Sequence, residues 1–127
     1  MSTLATLQKK LETDSTAYQT LQKDYTKAVE SRQKLDSQLQ ENKLVQDEFK
    51  VLKDDANIYK LIGPVLVKQD KAEAVTNVDK RIEFIKAEID RVEKQLKDLQ
   101  EKTEKKRVEL VQTQTALQQL AAQQQKK

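Results

Sequence analysis

The sequence predicts a mainly α fold, a long antiparallel two-helix coiled coil joined by one central β-hairpin. Three observations carry that prediction. Apolar residues recur at alternating steps of three and four along both halves of the chain; the one glycine and the one proline stand side by side at Gly63 and Pro64; and the only dense run of β-branched and apolar residues surrounds them. The first pattern is the seam of a heptad repeat, and the other two mark a turn between strands.

Composition points the same way. With 127 residues, 35% charged, 36% apolar and 4% aromatic, the chain is long enough for one domain but too hydrophilic for a compact globule. Its wealth of Ala, Glu, Lys, Leu and Gln suits long helices rather than disorder, provided the apolar positions are periodic. No apolar run approaches the ~20 residues that span a bilayer, and Met1-Ser-Thr-Leu-Ala5 lacks the basic and apolar regions of a leader. A soluble protein of the cytosol or nucleus is expected, with no membrane partner. The absence of cysteine removes a disulfide framework and thiolate metal sites.

The first element, residues 1–55, is expected as the N-terminal coiled-coil helix. Its seam runs Leu4, Leu7, Leu11, Asp14, Tyr18, Leu21, Tyr25, Ala28, Arg32, Leu35, Leu39, Asn42, Gln46 and Phe49, of which ten are apolar. Residues 56–69 are the β-hairpin. Asn57 to Ile62 and Val65 to Gln69 are separated by two residues, and Gly63 suits the first position of a type II′ turn, where φ is positive; Pro64 is less usual at the second, so a looser four-residue turn is the alternative. Pairing across the turn sets Ile62 against Val65, Leu61 against Leu66 and Lys60 against Val67. Both faces of the ribbon then carry apolar groups, too much for the chain's own helices to cover, and its edges invite pairing with other copies or relatives in a shared sheet or barrel.

The last helix is expected over residues 70–122, with Asp70 as N-cap and Glu73 as its capping-box partner, and residues 123–127 form a frayed tail ending in Lys126-Lys127. Its seam runs from Val75 through Val78, Ile82, Ile85, Ile89, Val92, Leu96, Leu99, Thr103, Lys106, Leu110, Thr113 and Leu117 to Leu120, eleven of them apolar. Each arm would be ~75 Å long at 1.5 Å per residue. If the chain reverses at Gly63-Pro64, facing residues have numbers summing to 127 or 128: Phe49 with Val78, Gln46 with Ile82, Asn42 with Ile85, Leu39 with Ile89, Leu35 with Val92, Ala28 with Leu99, Leu11 with Leu117, Leu7 with Leu120. Independent helices have no reason to keep that register. An intramolecular antiparallel coil follows, with the hairpin at one end and both termini at the other. Its distal layers are weaker, since Asp14 opposes Thr113, Leu21 opposes Lys106 and Tyr25 opposes Thr103. Losing one leucine layer forfeits on the order of a few kcal/mol, so the distal half should fray first.

No residue set in the chain would run a reaction, so no enzyme and no cofactor is expected. Histidine and cysteine are absent, and one glycine cannot build a phosphate-binding loop. Asp54-Asp55, and Glu88 with Asp90, offer oxygen ligands to Mg²⁺ or Ca²⁺, but such pairs are far more often helix-surface charges. Positive charges are interleaved with carboxylates, as in Glu101-Lys-Thr-Glu-Lys-Lys-Arg107, whereas a nucleic-acid stripe segregates sign and adds stacking aromatics. Direct nucleic-acid binding is not expected.

Specific strings carry a family resemblance. Glu41-Asn-Lys-Leu-Val-Gln-Asp-Glu-Phe49, Val51-Leu52, Tyr59-Lys-Leu-Ile-Gly-Pro-Val-Leu-Val-Lys-Gln69 and Thr76-Asn-Val-Asp-Lys-Arg-Ile-Glu-Phe-Ile85 resemble the β-type subunits of prefoldin, over about Gln33 to Leu110. The resemblance implies one subunit of a hetero-hexamer of two α-type and four β-type chains, whose hairpins build a double β-barrel carrying six coiled coils. It implies ATP-independent capture of non-native proteins, actin and tubulin among them, between coiled-coil tips, and delivery to the cytosolic group II chaperonin. Carried onto this chain, subunit assembly falls to Ile58, Tyr59, Leu61, Ile62, Gly63, Pro64, Val65, Leu66 and Val67. Client binding falls to Leu4, Leu7, Leu11, Leu117, Leu120 and Ala121, and chaperonin contact to Lys9, Lys10 and Glu12. The alternative is a coiled-coil scaffold or tether in which the tip leucines simply close the coil.

Overall fold

The computed structural model describes residues 3–125, in the order α1 (Thr3–Val51), β1 (Ile58–Ile62), β2 (Val65–Gln69) and α2 (Lys71–Gln125). Contacts group the chain into two compact units. A central unit runs Ser31–Glu93, and a terminal unit joins the residues up to Glu30 with those from Lys94 onward.

In the central unit the second half of α1 lies antiparallel to the first half of α2. Arg32 reaches Glu93 at 3.1 Å and Gln46 donates to Asp79 at 2.9 Å, so partners descend in number along α2 as they ascend along α1. Between them Leu39, Val78, Ile82, Ile85 and Ile89 are buried, with Leu35 and Phe49 packed against that cluster. These are the residues that the matched numbering pairs. Burying an Ile or Leu side chain in such a seam contributes about 1.5–3 kcal/mol. The polar seam residues of α1 turn aside instead: Asn42 donates to the Gln38 carbonyl at 2.7 Å, and Gln46 and Arg32 make the two cross-helix contacts above. At the start of α2 the buried residue is Ala74, at 3% exposure, while Val75 is half-buried. The expected seam therefore begins one position off.

Helix α1 stops at Val51, short of the expected residue 55. The Leu52 amide still donates to the Glu48 carbonyl at 3.2 Å, and the Ala56 amide then closes a turn onto Lys53 at 3.0 Å. Asp54 and Asp55 sit where the negative end of the helix dipole disfavours carboxylates. Lys71, from the first turn of α2, donates to the Leu52 carbonyl at 2.8 Å and pairs with Asp54 at 3.2 Å, supplying the cation that end needs. Helix α2 starts directly after Asp70, whose carbonyl accepts from the Ala74 amide at 2.9 Å, and carries Glu73 in its first turn. It continues to Gln125, past the expected end at 122, because glutamine is a good helix former. The Lys126-Lys127 end of the expected tail lies outside the described residues.

The terminal unit is antiparallel in the same way, with Lys10 near Thr113 and Asp14 near Lys106. Ala28 and Leu99 are its buried apolar residues, and Asp14 and Thr113 are buried polar ones. Tyr18, Leu21, Tyr25 and Leu110 are half-buried. Thr16, Thr20, Thr26, Thr103 and Thr113 all turn their hydroxyls back onto the carbonyl one turn earlier. Such bonds slightly weaken and bend helices.

Candidate functional site

The hairpin is built around one backbone requirement. Gly63 has φ of 57°, in the left-handed region, and no non-glycine described residue has positive φ. A type I′ turn needs positive φ at both central positions, so Pro64 excludes it and type II′ remains. Nothing lies within 4 Å of where a Gly63 Cβ would stand, so the glycine serves conformation rather than close approach. The pairing is Ile58 with Gln69, Tyr59 with Lys68, Lys60 with Val67, Leu61 with Leu66 and Ile62 with Val65, as the two-residue turn dictates.

That register places Ile58, Ile62, Val65 and Val67 on one face, and Tyr59, Leu61 and Leu66 on the other. Both are open. Leu61 is 67% exposed, Leu66 63%, Val65 56%, and Tyr59, Ile62 and Val67 also remain exposed, while Ile58 is half-buried. Among the described residues the sheet is β1 and β2 alone, so each strand has one unpaired edge. Covering what remains exposed is worth about 1 kcal/mol for each of these side chains. A two-sided apolar ribbon with two free edges is the geometry of strand addition.

The tips present a different picture. Leu4, Leu7, Leu11, Leu117 and Leu120 are half-buried and Ala121 is exposed, so the leucines are partly packed within the terminal unit rather than fully offered to solvent. Lys9 and Glu12 are exposed. Lys10 is exposed as well, but its ammonium lies 2.7 Å from an Asp14 carboxylate oxygen and 3.4 Å from the Thr113 hydroxyl. Asp14 also lies 3.5 Å from Lys106, which bonds Glu109 at 2.9 Å. Sequence reasoning opposed Asp14 to Thr113 but missed the two lysines. The Lys10–Asp14 spacing of one helical turn was the available signal.

One carboxylate of each expected pair goes to a surface ion pair. Asp54 meets Lys71, and Glu88 meets Arg91 at 2.9 Å. Likewise Arg107 pairs with Glu104, and Lys102 with Asp98, each one turn away along α2. Leu44 at 65%, Val51 at 82% and Phe84 at 66% are exposed apolar residues outside the seam that sequence reasoning gave no role.

Two long helices, packed antiparallel within each unit and joined through a β-hairpin with exposed faces, define a class of helical-hairpin subunits. The family described as Prefoldin subunit matches residues 12–117, and the chain belongs to that family, whose members are chaperone components. It is 48% identical over 121 residues to Prefoldin subunit 6 of Arabidopsis thaliana, covering 95% of this chain and 94% of that one. It is 52% identical over 94 residues to Prefoldin subunit 6 of Saccharomyces cerevisiae, covering 74% of this chain and 82% of that one. Among solved structures, the prefoldin beta subunit from Thermococcus strain KS-1 superposes with a TM-score of 0.72 at 30% identity, covering 85% of this chain and 92% of that chain. The β-type resemblance and the hairpin-centred fold expected from sequence are both found.

Proposed function

We propose that this chain is one subunit of a hetero-hexameric, ATP-independent co-chaperone. It assembles through its hairpin with two α-type and three further β-type subunits, captures non-native proteins such as actin and tubulin at coiled-coil tips, and passes them to the group II chaperonin in the cytosol. The observation that supports this reading most is the hairpin: a two-stranded ribbon, apolar on both faces and unpaired at its outer edges among the described residues, in a chain of the prefoldin family. Weak capture at one tip becomes effective when several tips hold one client, because the second contact is intramolecular.

A second reading, a scaffold or tether without client binding, draws on the half-buried state of the tip leucines. The two separate in one experiment. The chain is co-expressed with partner subunits, the hexamer is identified by native mass spectrometry, and its suppression of aggregation of denatured actin is compared with that of a complex carrying Leu7→Ser and Leu120→Ser. The capture reading expects intact assembly and suppression reduced several-fold. Unchanged suppression would favour the scaffold, and a chain that ignores partner subunits would sink both.

A further inference from the structure

Asp14 is the one carboxylate in the buried class among the described residues, at 7% exposure, and Thr113 beside it is at 5%. One carboxylate oxygen of Asp14 meets Lys10 on its own helix at 2.7 Å, and the other faces Lys106 on the opposite helix at 3.5 Å. Lys10 also reaches the Thr113 hydroxyl at 3.4 Å, which in turn donates to the Glu109 carbonyl at 3.0 Å, while Glu109's carboxylate holds Lys106 at 2.9 Å. No buried side-chain polar atom among the described residues lacks a partner. The layer is fully satisfied when shut.

The Lys10–Asp14 pair is made within α1, with the Lys10 side chain half exposed, so it survives when the arms part; only the longer Asp14–Lys106 and Lys10–Thr113 contacts, at 3.5 and 3.4 Å, cross between the helices. On opening, the groups that make these crossing contacts regain in water much of what they lose to each other, whereas a parted leucine layer regains nothing. This layer lies between the leucines at Leu7, Leu11, Leu117 and Leu120 and the buried Ala28 and Leu99. Past it stands a cleft lined by Gln22, Tyr25, Thr26, Gln100, Thr103 and Glu104, among which Tyr25 is the one large apolar side chain. The half-buried leucines of the tip are therefore fastened by a layer that specifies the closed form without strongly stabilising it.

We propose that Asp14, Lys10, Lys106 and Thr113 form a clasp that sets how readily the arms of the terminal unit part, and so how much of the tip leucines a non-native chain can reach. This rests on the capture reading above and identifies positioning residues for it. Replacing the layer with leucine in both arms, Asp14→Leu with Thr113→Leu, should bind the arms more firmly.

The test uses the assembled hexamer, with hydrogen–deuterium exchange of the terminal-unit amides and suppression of denatured-actin aggregation as paired readouts. The double-leucine variant should exchange at least tenfold more slowly and suppress aggregation several-fold less well. Asp14→Ala, which leaves a void and removes the carboxylate between the lysines, should exchange faster and suppress at least as well as the unsubstituted complex. Exchange unchanged or accelerated in the double-leucine variant would overturn the clasp. Slower exchange with full suppression would overturn its link to capture while leaving capture itself standing. An unsubstituted complex with no suppression at all would instead refute the capture reading and with it the clasp's role there, and the exchange comparison would still decide whether the layer is the weak one.

Discussion

At the scale of single residues, Asp14 ties the terminal unit to pH. The hydrogen bond from Lys10 holds its carboxyl below the usual range, the charges of Lys10 and Lys106 add to this, and burial opposes it. A carboxyl whose pKa is lower folded than unfolded contributes stability above its unfolded pKa, and that contribution is lost as pH falls through the folded value. Glu104, lowered first by its hydrogen bond from Arg107, acts in the same sense. Lys106 is raised, foremost by the hydrogen bond to Glu109 and further by Asp14, so its contribution is present at neutral pH and lost only as pH rises through a value above the ordinary lysine range. Acidification below the usual carboxylate range should loosen the terminal unit. Circular dichroism melts at stepped pH should show that loss, and Asp14→Asn should flatten it; an unchanged acid limb in the variant would place the effect elsewhere.

At the scale of elements, the inner-facing stripe of α2 dominates the central unit. Ile85 is 6% exposed within the Leu39, Val78, Ile82 and Ile89 cluster, so Ile85→Ala removes buried methylenes and leaves a cavity. The expected cost is about 2–5 kcal/mol, read as a lowered urea midpoint with α2 still helical. A shift under 1 kcal/mol would mean that the seam collapses around the gap.

Much of this element-scale architecture is legible in sequence because it is periodic. The three-four steps identify both helices, and the numbering matched about Gly63-Pro64 pairs Leu39 with Ile89 and Phe49 with Val78. The end of α1 was not legible because it is set from a distance: the Leu52 carbonyl is taken by Lys71, nineteen positions later. Ala74 was missed because alanine and Val75 compete for one seam position, and periodicity alone favours the larger side chain. At the candidate site the hairpin register followed from its two-residue turn. The Lys106 approach to Asp14 did not, because the matched numbering opposes Lys106 to Leu21, and a long flexible side chain is not confined to the layer its backbone occupies.

At the scale of the whole molecule, the chain's family membership and its hairpin together make assembly the central question. Ile62 and Val65 pair beside the turn on one face of the ribbon, both more than half exposed. Ile62→Lys with Val65→Lys should leave helix content nearly unchanged, because neither residue belongs to the seams, yet abolish entry into the hexamer. Circular dichroism with native mass spectrometry reads both, and retention of the hexamer would count against the hairpin as the joint.

The open ribbon has a further consequence for dosage. Its exposure is harmless only while partners exist to cover it, so the subunit's safe abundance is fixed by the scarcest of its companions rather than by its own stability. A surplus copy carries two bare strand edges and two greasy faces, the features that lead to aggregation. On the assembly reading, production in step with the other subunits, or prompt removal of orphans, is a physical requirement written into residues 58–69.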